Sequence, residues 1–371
     1  MKIPLYKAQV PLTCLHDIES VIASGNIASG EHVMRFERAF GDYLDNRMVA
    51  AVGEISTAIT ICLSQVGLKP GDEVVMSPLV CLSSSCPVRN MGGEIRWCDV
   101  DPSSGNLDPD SLEQAIGSRT KAVLVYHWAG YPAEIEAIRR IARQRNIAVI
   151  EDAGEALGAT YSGRRIGSGT ADFTVFSFYP NRHLSTIEGG AIACARPDSF
   201  EEIRRLRRYG IEQRTFRDRD GEINAASDIK VAGWNSYLNN IAGAVGVHQL
   251  AGLEERLHAW CDNGRFYDLA FGGVRGVDVL KRPDSATPAY WVYTLLADRA
   301  DDIMRELRKC GVQCSKVHLR NDHYSAFGDG LNYLPGVERF SRRCFSIPCG
   351  PWVSSSERQS IVDIVVKTLK G

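Results

Sequence analysis

The chain has 371 residues, 44% apolar and 24% charged, with 45 acidic residues against 43 basic ones and a net charge of −2. Such proportions exclude a disordered or fibrous chain, and they leave neither a basic field for nucleic acid nor an acidic tail. No stretch approaches the roughly 18–20 apolar residues of a membrane span. The start, MKIPLYKAQVPLTC, lacks an apolar core of signal-peptide length, so a cytoplasmic globular protein is expected. The eleven cysteines are scattered, with no CxxC pair and no zinc-type spacing, and are expected as reduced, small hydrophobes without a metal.

From about residue 30 to 195, helix-like and strand-like segments alternate. RFERAFGDYL (35–44) and STAITICLSQVG (56–67) have helical apolar spacing. DEVVMSP (72–78), GEIRWCDV (93–100), KAVLVYHW (121–128), IAVIEDAG (147–154) and DFTVFSF (172–178) read as strands buried on both faces. SLEQAIG (111–117) and AEIEAIRRIARQR (133–145) fill the intervals as helices. Strands alternating with helices predict right-handed crossovers and a mostly parallel sheet, with ligands beyond the carboxyl ends of its strands. His127, Asp152 and Ser177 each end an apolar run.

Further on, SFEEIRRLRRYGI (199–211) is helical, and the interleaved charges of 212–228 read as a solvated or interface loop. NNIAGAVGVHQLAGLEERLHAW (239–260) reads as one long helix. Strand-like YWVYTLLA (290–297), with helical DDIMRELRKCG (301–311), SRRCFSIPCGPW (341–352) and SERQSIVDIVVKTLKG (356–371), suggests a compact α+β unit. The expected division is a large α/β domain over 1–250 and a small C-terminal domain over 251–371.

Taken singly, the polar residues leave their roles open. Asp152 at a sheet mouth suits pairing with a protonated ring nitrogen, a metal, general-base work or simple capping. Ser56 and Thr57 open a helix whose first-turn N–H groups form an anion site, yet each also reads as an N-cap. Ser177 suits a phosphate or the next turn.

In combination they say more. Ser56–Thr57, HWAGYP (127–132), EDAGEA (151–156) and FSFYPNRHLSTIEGG (176–190), with SGEHVMRFERAFGDYL (29–44), YSGRRIGS (161–168) and GWNSYLNNIAGAVGVHQL (233–250), resemble the DegT/DnrJ/EryC1/StrS sugar aminotransferases. The resemblance spans nearly the whole chain and implies the aspartate-aminotransferase-like fold of pyridoxal phosphate (PLP) enzymes. It further implies a homodimer with the active site at the interface, and a nucleotide sugar as small-molecule substrate. By resemblance Asp152 pairs with the pyridinium nitrogen, Ser177 binds the phosphate, and Asn235 reaches the partner subunit's phosphate. Glu155 falls near the phenolic oxygen, where a carboxylate repels a phenolate.

The departures define the problem. Glu54-Ile55-Ser56 stands where the resemblance expects a Ser-Gly-Thr phosphate cup, and no aromatic stacks near Cys81 and Leu82. The Schiff-base lysine, five residues after the serine, is Arg182. A guanidinium keeps its charge past pH 12, forms no useful imine and is a very poor base. Two readings follow. In one, PLP or its amine form PMP binds non-covalently and another group moves the proton: His183 beside Arg182, or more weakly His127 or Tyr179. In the other, the chain is a non-catalytic partner of an active paralogue.

Overall fold

The computed structural model describes residues 2–328 and 330–370. Two helices come first, α1 (Leu15–Ser24) and α2 (Glu31–Leu44). Alternation then runs β1 (Val49–Val52), α3 (Ile55–Gln65), β2 (Glu73–Met76), α4 (Leu82–Asn90), β3 (Glu94–Trp97), α5 (Pro109–Ala115), β4 (Thr120–Tyr126), α6 (Ile135–Gln144) and β5 (Ala148–Asp152). Short β6 (Thr160–Tyr161) and β7 (Arg164–Arg165) precede β8 (Phe173–Ser177), β9 (Gly190–Cys194) and α7 (Pro197–Leu206). The C-terminal part contains α8 (Asn240–Ala251), α9 (Leu253–Phe271), β10 (Asp278–Val279), β11 (Ala286–Thr287), β12 (Tyr293–Leu296), α10 (Ala300–Lys309), α11 (Pro335–Arg343), β13 (Cys344–Ile347) and α12 (Ser355–Lys370).

Seven strands make the central sheet in the order β1-β9-β8-β5-β4-β2-β3. All are parallel except β9, which pairs antiparallel with both β8 and β1. The register sets Tyr126 opposite Asp152, and Asp152 opposite Val175 two residues before Ser177. Three neighbouring strands therefore end at one level, and that level is where the candidate site forms.

One face of the sheet packs on α3 and α7, and the other on α5 and α6. Helix α2 is amphipathic: Val33, Phe36, Phe40 and Leu44 are spaced by three or four residues and fully buried. Phe36 and Phe40 meet Phe178 edge-on, beyond the end of β8. Helix α8 approaches α2 so closely that a side-chain carbon at Gly243 would lie 2.6 Å from the Val33 backbone nitrogen. The second sheet, β10-β12-β13, shares a separate core with α9, α10 and α12, and Ile3 and Leu5 from the chain's start join it.

Three sequence expectations are corrected. Residues 239–260 form no single helix: α8 ends at Ala251 and α9 starts at Leu253, with Gly252 between them and the Arg256 guanidinium covering the Gln249 carbonyl. Of residues 341–352 only 341–343 are helical, as the end of α11, because Cys344–Ile347 pairs along β12. Strand β3 is not buried on both faces, since it is the sheet edge and leaves Glu94 and Arg96 exposed. Helices α1 and α4 are not among the elements expected from the sequence, although Leu15, Ile18, Val21 and Ile22 of α1 follow a helical spacing. Among the described residues no helix is long and apolar enough to cross a membrane, and all eleven cysteines are free thiols.

Candidate functional site

Asp152, the last residue of β5, is 1% exposed. Its Oδ2 accepts a hydrogen bond from Ser84 Oγ at 2.6 Å and its Oδ1 one from the Gly154 N–H at 3.0 Å. Burial raises its pKa, and neither those bonds nor the nearby Arg182 charge fully offsets that. Ser84 lies in the first turn of α4, a helix the sequence reading missed.

Glu155 is the centre of the site. Its Oε2 accepts from the Ala129 N–H at 2.9 Å. Its Oε1 lies 3.2 Å from Arg182 Nη1 and 3.2 Å from His318 Nε2. Burial alone would raise its pKa, but the His318 hydrogen bond and the Arg182 charge prevail and hold it below the ordinary carboxylate range. An ionised carboxylate only accepts, so Nε2 of His318 carries the proton and shares it with Glu155 and the Tyr126 oxygen 2.9 Å away.

Arg182 sits in the turn between β8 and β9, and its side chain is 11% exposed. The guanidinium lies 4.4 Å above the Trp291 ring. Trp291 is itself fixed by an indole hydrogen bond to the Asn181 carbonyl and by the stacked ring of Tyr6. Burial opposes the Arg182 charge, but Glu155 outweighs it and raises the pKa further. Arg182 Nε, also buried, has no hydrogen-bond partner among the described residues.

His183 lies apart from this network. Its Nε2 donates to the Ala289 carbonyl at 3.0 Å, and its ring stands edge-on to Trp260. Burial pushes its pKa down to about 4. Its ring is packed as core, and its Nδ1 has no hydrogen-bond partner among the described residues. His127 is likewise buried, its Nδ1 accepting from the Ala133 N–H, while Tyr179 is half exposed.

The remaining expected residues gather at the helix mouth. Ser177 is buried and its hydroxyl accepts from the Tyr179 N–H. Ser56 and Thr57 open α3, but the Thr57 hydroxyl donates to the Glu54 carboxylate at 2.7 Å. Cys81 stands at the N-cap of α4, half-buried. Asn235 is exposed, and the adjacent Ser236 binds the Gly53 N–H. The fold thus brings Asp152, Glu155, Ser177 and Arg182 together. It adds Tyr126, Ser84, Trp291 and His318, which the sequence did not single out. Tyr126 lay one residue before the flagged His127; His318 has no local signal at all.

The PLP implied by resemblance fits this arrangement poorly. The Ile55 Cδ1 lies 3.1 Å from where a side-chain carbon on Gly154 would stand, beside Ser177, so a branched apolar chain leans into the phosphate end. The Glu54 carboxylate occupies the mouth of α3, and its charge helps raise the pKa of Glu188, though burial does more. Two carboxylates there oppose a dianion. Arg182 offers no amine. Asp152, at the ring-nitrogen position, and Ser177, at the phosphate position, retain the required chemistry.

Comparison with known proteins agrees with the fold. The DegT/DnrJ/EryC1/StrS aminotransferase family matches residues 13–366. The dTDP-3-amino-3,4,6-trideoxy-alpha-D-glucose transaminase of Streptomyces venezuelae is 29% identical over 360 residues, covering 94% of this chain and 90% of that one. The crystal structure of the sugar aminotransferase CalS13 from Micromonospora echinospora superposes with a TM-score of 0.92 at 32% identity, covering 98% of this chain and 99% of its own. The sugar aminotransferase Spr1654 from Streptococcus pneumoniae, solved in PLP and PMP forms, shares the fold with a TM-score of 0.90 at 21% and 22% identity, covering 100% of this chain and 99% of its own.

Proposed function

This chain belongs to the DegT/DnrJ/EryC1/StrS aminotransferase family, and from that premise we propose that it is a divergent member that binds a keto-sugar nucleotide without lysine-route transamination. One observation carries this reading: the guanidinium of Arg182 is locked between the Glu155 carboxylate and the Trp291 ring. A permanently charged, stacked and ion-paired group neither attacks an aldehyde nor relays a proton.

PLP supplies an electron sink when its ring is held protonated. Asp152 supports a loosely held, non-covalent PLP or PMP, and Ile55 and Glu54 oppose it. We therefore place the chemistry on this chain's own side chains. In the division expected from the sequence, His318 belongs to 251–371 and Glu155 to 1–250, so the proposed pocket joins the two units.

A second reading, association with a paralogue or with a second copy of the chain, is favoured by one feature. Tyr209, Ile229 and Val231 are exposed apolar residues gathered around Gly210. Asn235, which the resemblance assigns to a partner's site, is exposed in the segment that follows. A homodimer covering this face is the form we propose.

Borohydride treatment of the protein incubated with PLP tests the reading. No cofactor is expected to become fixed stoichiometrically to one position, and no internal-aldimine band is expected to develop. A stoichiometric reduced adduct on a single lysine overturns the lysine-independent proposal. Equilibrium dialysis against dTDP-linked sugars tests the binding half separately.

A further inference from the structure

Glu155, Arg182, His318 and Tyr126 form a network with two loose ends. The first is Nδ1 of His318. With Nε2–H held on Glu155, Nδ1 keeps its lone pair, and it has no hydrogen-bond partner among the described residues. A buried carboxylate that fixes one imidazole nitrogen and frees the other is the arrangement by which a histidine becomes an oriented base. The imidazole is 13% exposed, edge-on to Tyr126 and Trp128, so its place is held by packing as well as by hydrogen bonding. Val317, just before it, takes φ of +63°, a conformation that β-branched residues rarely adopt and that tends to occur at functional positions.

The second loose end is Arg182 Nε–H, a buried donor without an acceptor. Buried donors are almost always paired, so an orphan beside a base is a place for a ligand oxygen. Both residues approach the same Glu155 oxygen at 3.2 Å, which puts the base and the cation on one pivot. His183 and His127 each also keep one nitrogen without a partner among the described residues, but neither bonds to Glu155: His183 is held by the Ala289 carbonyl against Trp260, and His127 by the Ala133 N–H.

The geometry points to a cofactor-free acid–base site: His318 Nδ1 takes the hydrogen from the carbon beside a ligand's carbonyl group, and Arg182 stabilises the oxygen that gains charge. The inference rests on the reading of this pocket as a keto-sugar site. In the step, the carbon–hydrogen bond breaks and the proton passes to Nδ1. The bonding pair becomes the carbon–carbon double bond of an enolate, and the carbonyl pair moves onto oxygen. Return of a proton from Nδ1 to carbon restores the ketone, with no oxidant or second reactant consumed. The reaction class is reversible enolisation, read as hydrogen exchange at the carbon beside a carbonyl.

The test uses the full chain without added cofactor, in heavy water, with a dTDP-linked 4-keto-6-deoxyhexose as probe. Equilibrium dialysis measures binding and mass spectrometry measures deuterium in the recovered sugar. The wild-type chain is expected to incorporate deuterium roughly 100-fold faster than His318→Asn, with binding of the probe retained in both. Binding without exchange, or undiminished exchange in His318→Asn, overturns the inference. Failure of the wild-type chain to bind the probe overturns the keto-sugar reading instead, and the inference falls with it. Long-range proton–nitrogen NMR checks the network without any ligand. Protonated Nε2 and bare Nδ1 at neutral pH are expected for His318, and the opposite tautomer overturns the proposal.

Discussion

Residue 182 shows how a single side chain redirects a pocket. An arginine cannot be exchanged for the lysine of a Schiff base, but here it also has acquired partners: Glu155, which needs a cation, and Trp291, which needs a flat one. Glu155→Gln leaves the buried guanidinium without its counter-ion, and we expect a loss of about 3–5 kcal/mol in urea unfolding at neutral pH. Arg182→Lys alone is expected to form no PLP adduct, because Ile55 and Glu54 still crowd the phosphate end. Adding Ile55→Gly and Glu54→Ser is expected to produce one, read as an absorbance band removed by borohydride. The pH dependence of stability separates two groups. The folded pKa of His183 lies near 4 against an ordinary 6.5, so the unfolded chain takes up its proton first as pH falls. Stability should drop by up to roughly 3 kcal/mol between those values and level off below them, and His183→Gln should flatten that window. Glu155 is also shifted down, from its ordinary 4.5, but as an acid: its contribution is present above that value and is lost as pH falls through its lower folded pKa. Urea titrations at a series of pH values check both.

Among the elements, α2 and α8 show how close packing decides what local preference leaves open. Glycine in a helix interior costs about 1 kcal/mol relative to alanine, so propensity alone favours Gly243→Ala. The carbon it adds would meet the Val33 backbone at 2.6 Å, and backbone cannot rotate away. We expect a net loss of about 1–3 kcal/mol, measured by thermal or urea unfolding, where propensity predicts a gain. The same contrast explains which elements were legible. Strands β4, β5 and β8 are continuous apolar runs buried on both faces, and their period shows in the sequence. Strand β13 was misread because its four residues follow a helical pattern, and only pairing with β12 makes them extended. The break at Gly252 was missed because one glycine amid helix formers is a weak stop signal until Arg256 caps the preceding turn.

For the molecule as a whole, the site depends on chain segments far apart. Asp152 and Ser177 come from neighbouring strands, Arg182 from the turn after β8, and His318 from beyond α10. The exposed apolar group around Gly210 is expected to be covered in a dimer, so Ile229→Asp should shift the protein toward monomer in sedimentation velocity while its far-ultraviolet circular dichroism stays unchanged. An unshifted sedimentation profile would place the association surface elsewhere.

The sequence by itself carried the family resemblance in its motifs, and it determined the parallel sheet and the strand-end positions of Asp152 and Ser177, because burial period and strand spacing are local properties written along the chain. It also determined that residue 182 lacks a transferable amine. Tertiary structure alone decided that His183 faces the core, that Ile55 leans toward Gly154, and that Glu155 gathers Arg182 and His318. The physical reason is that a hydrogen bond reaches about 3 Å whatever the separation along the chain, and residues 155 and 318 become neighbours only when the fold closes.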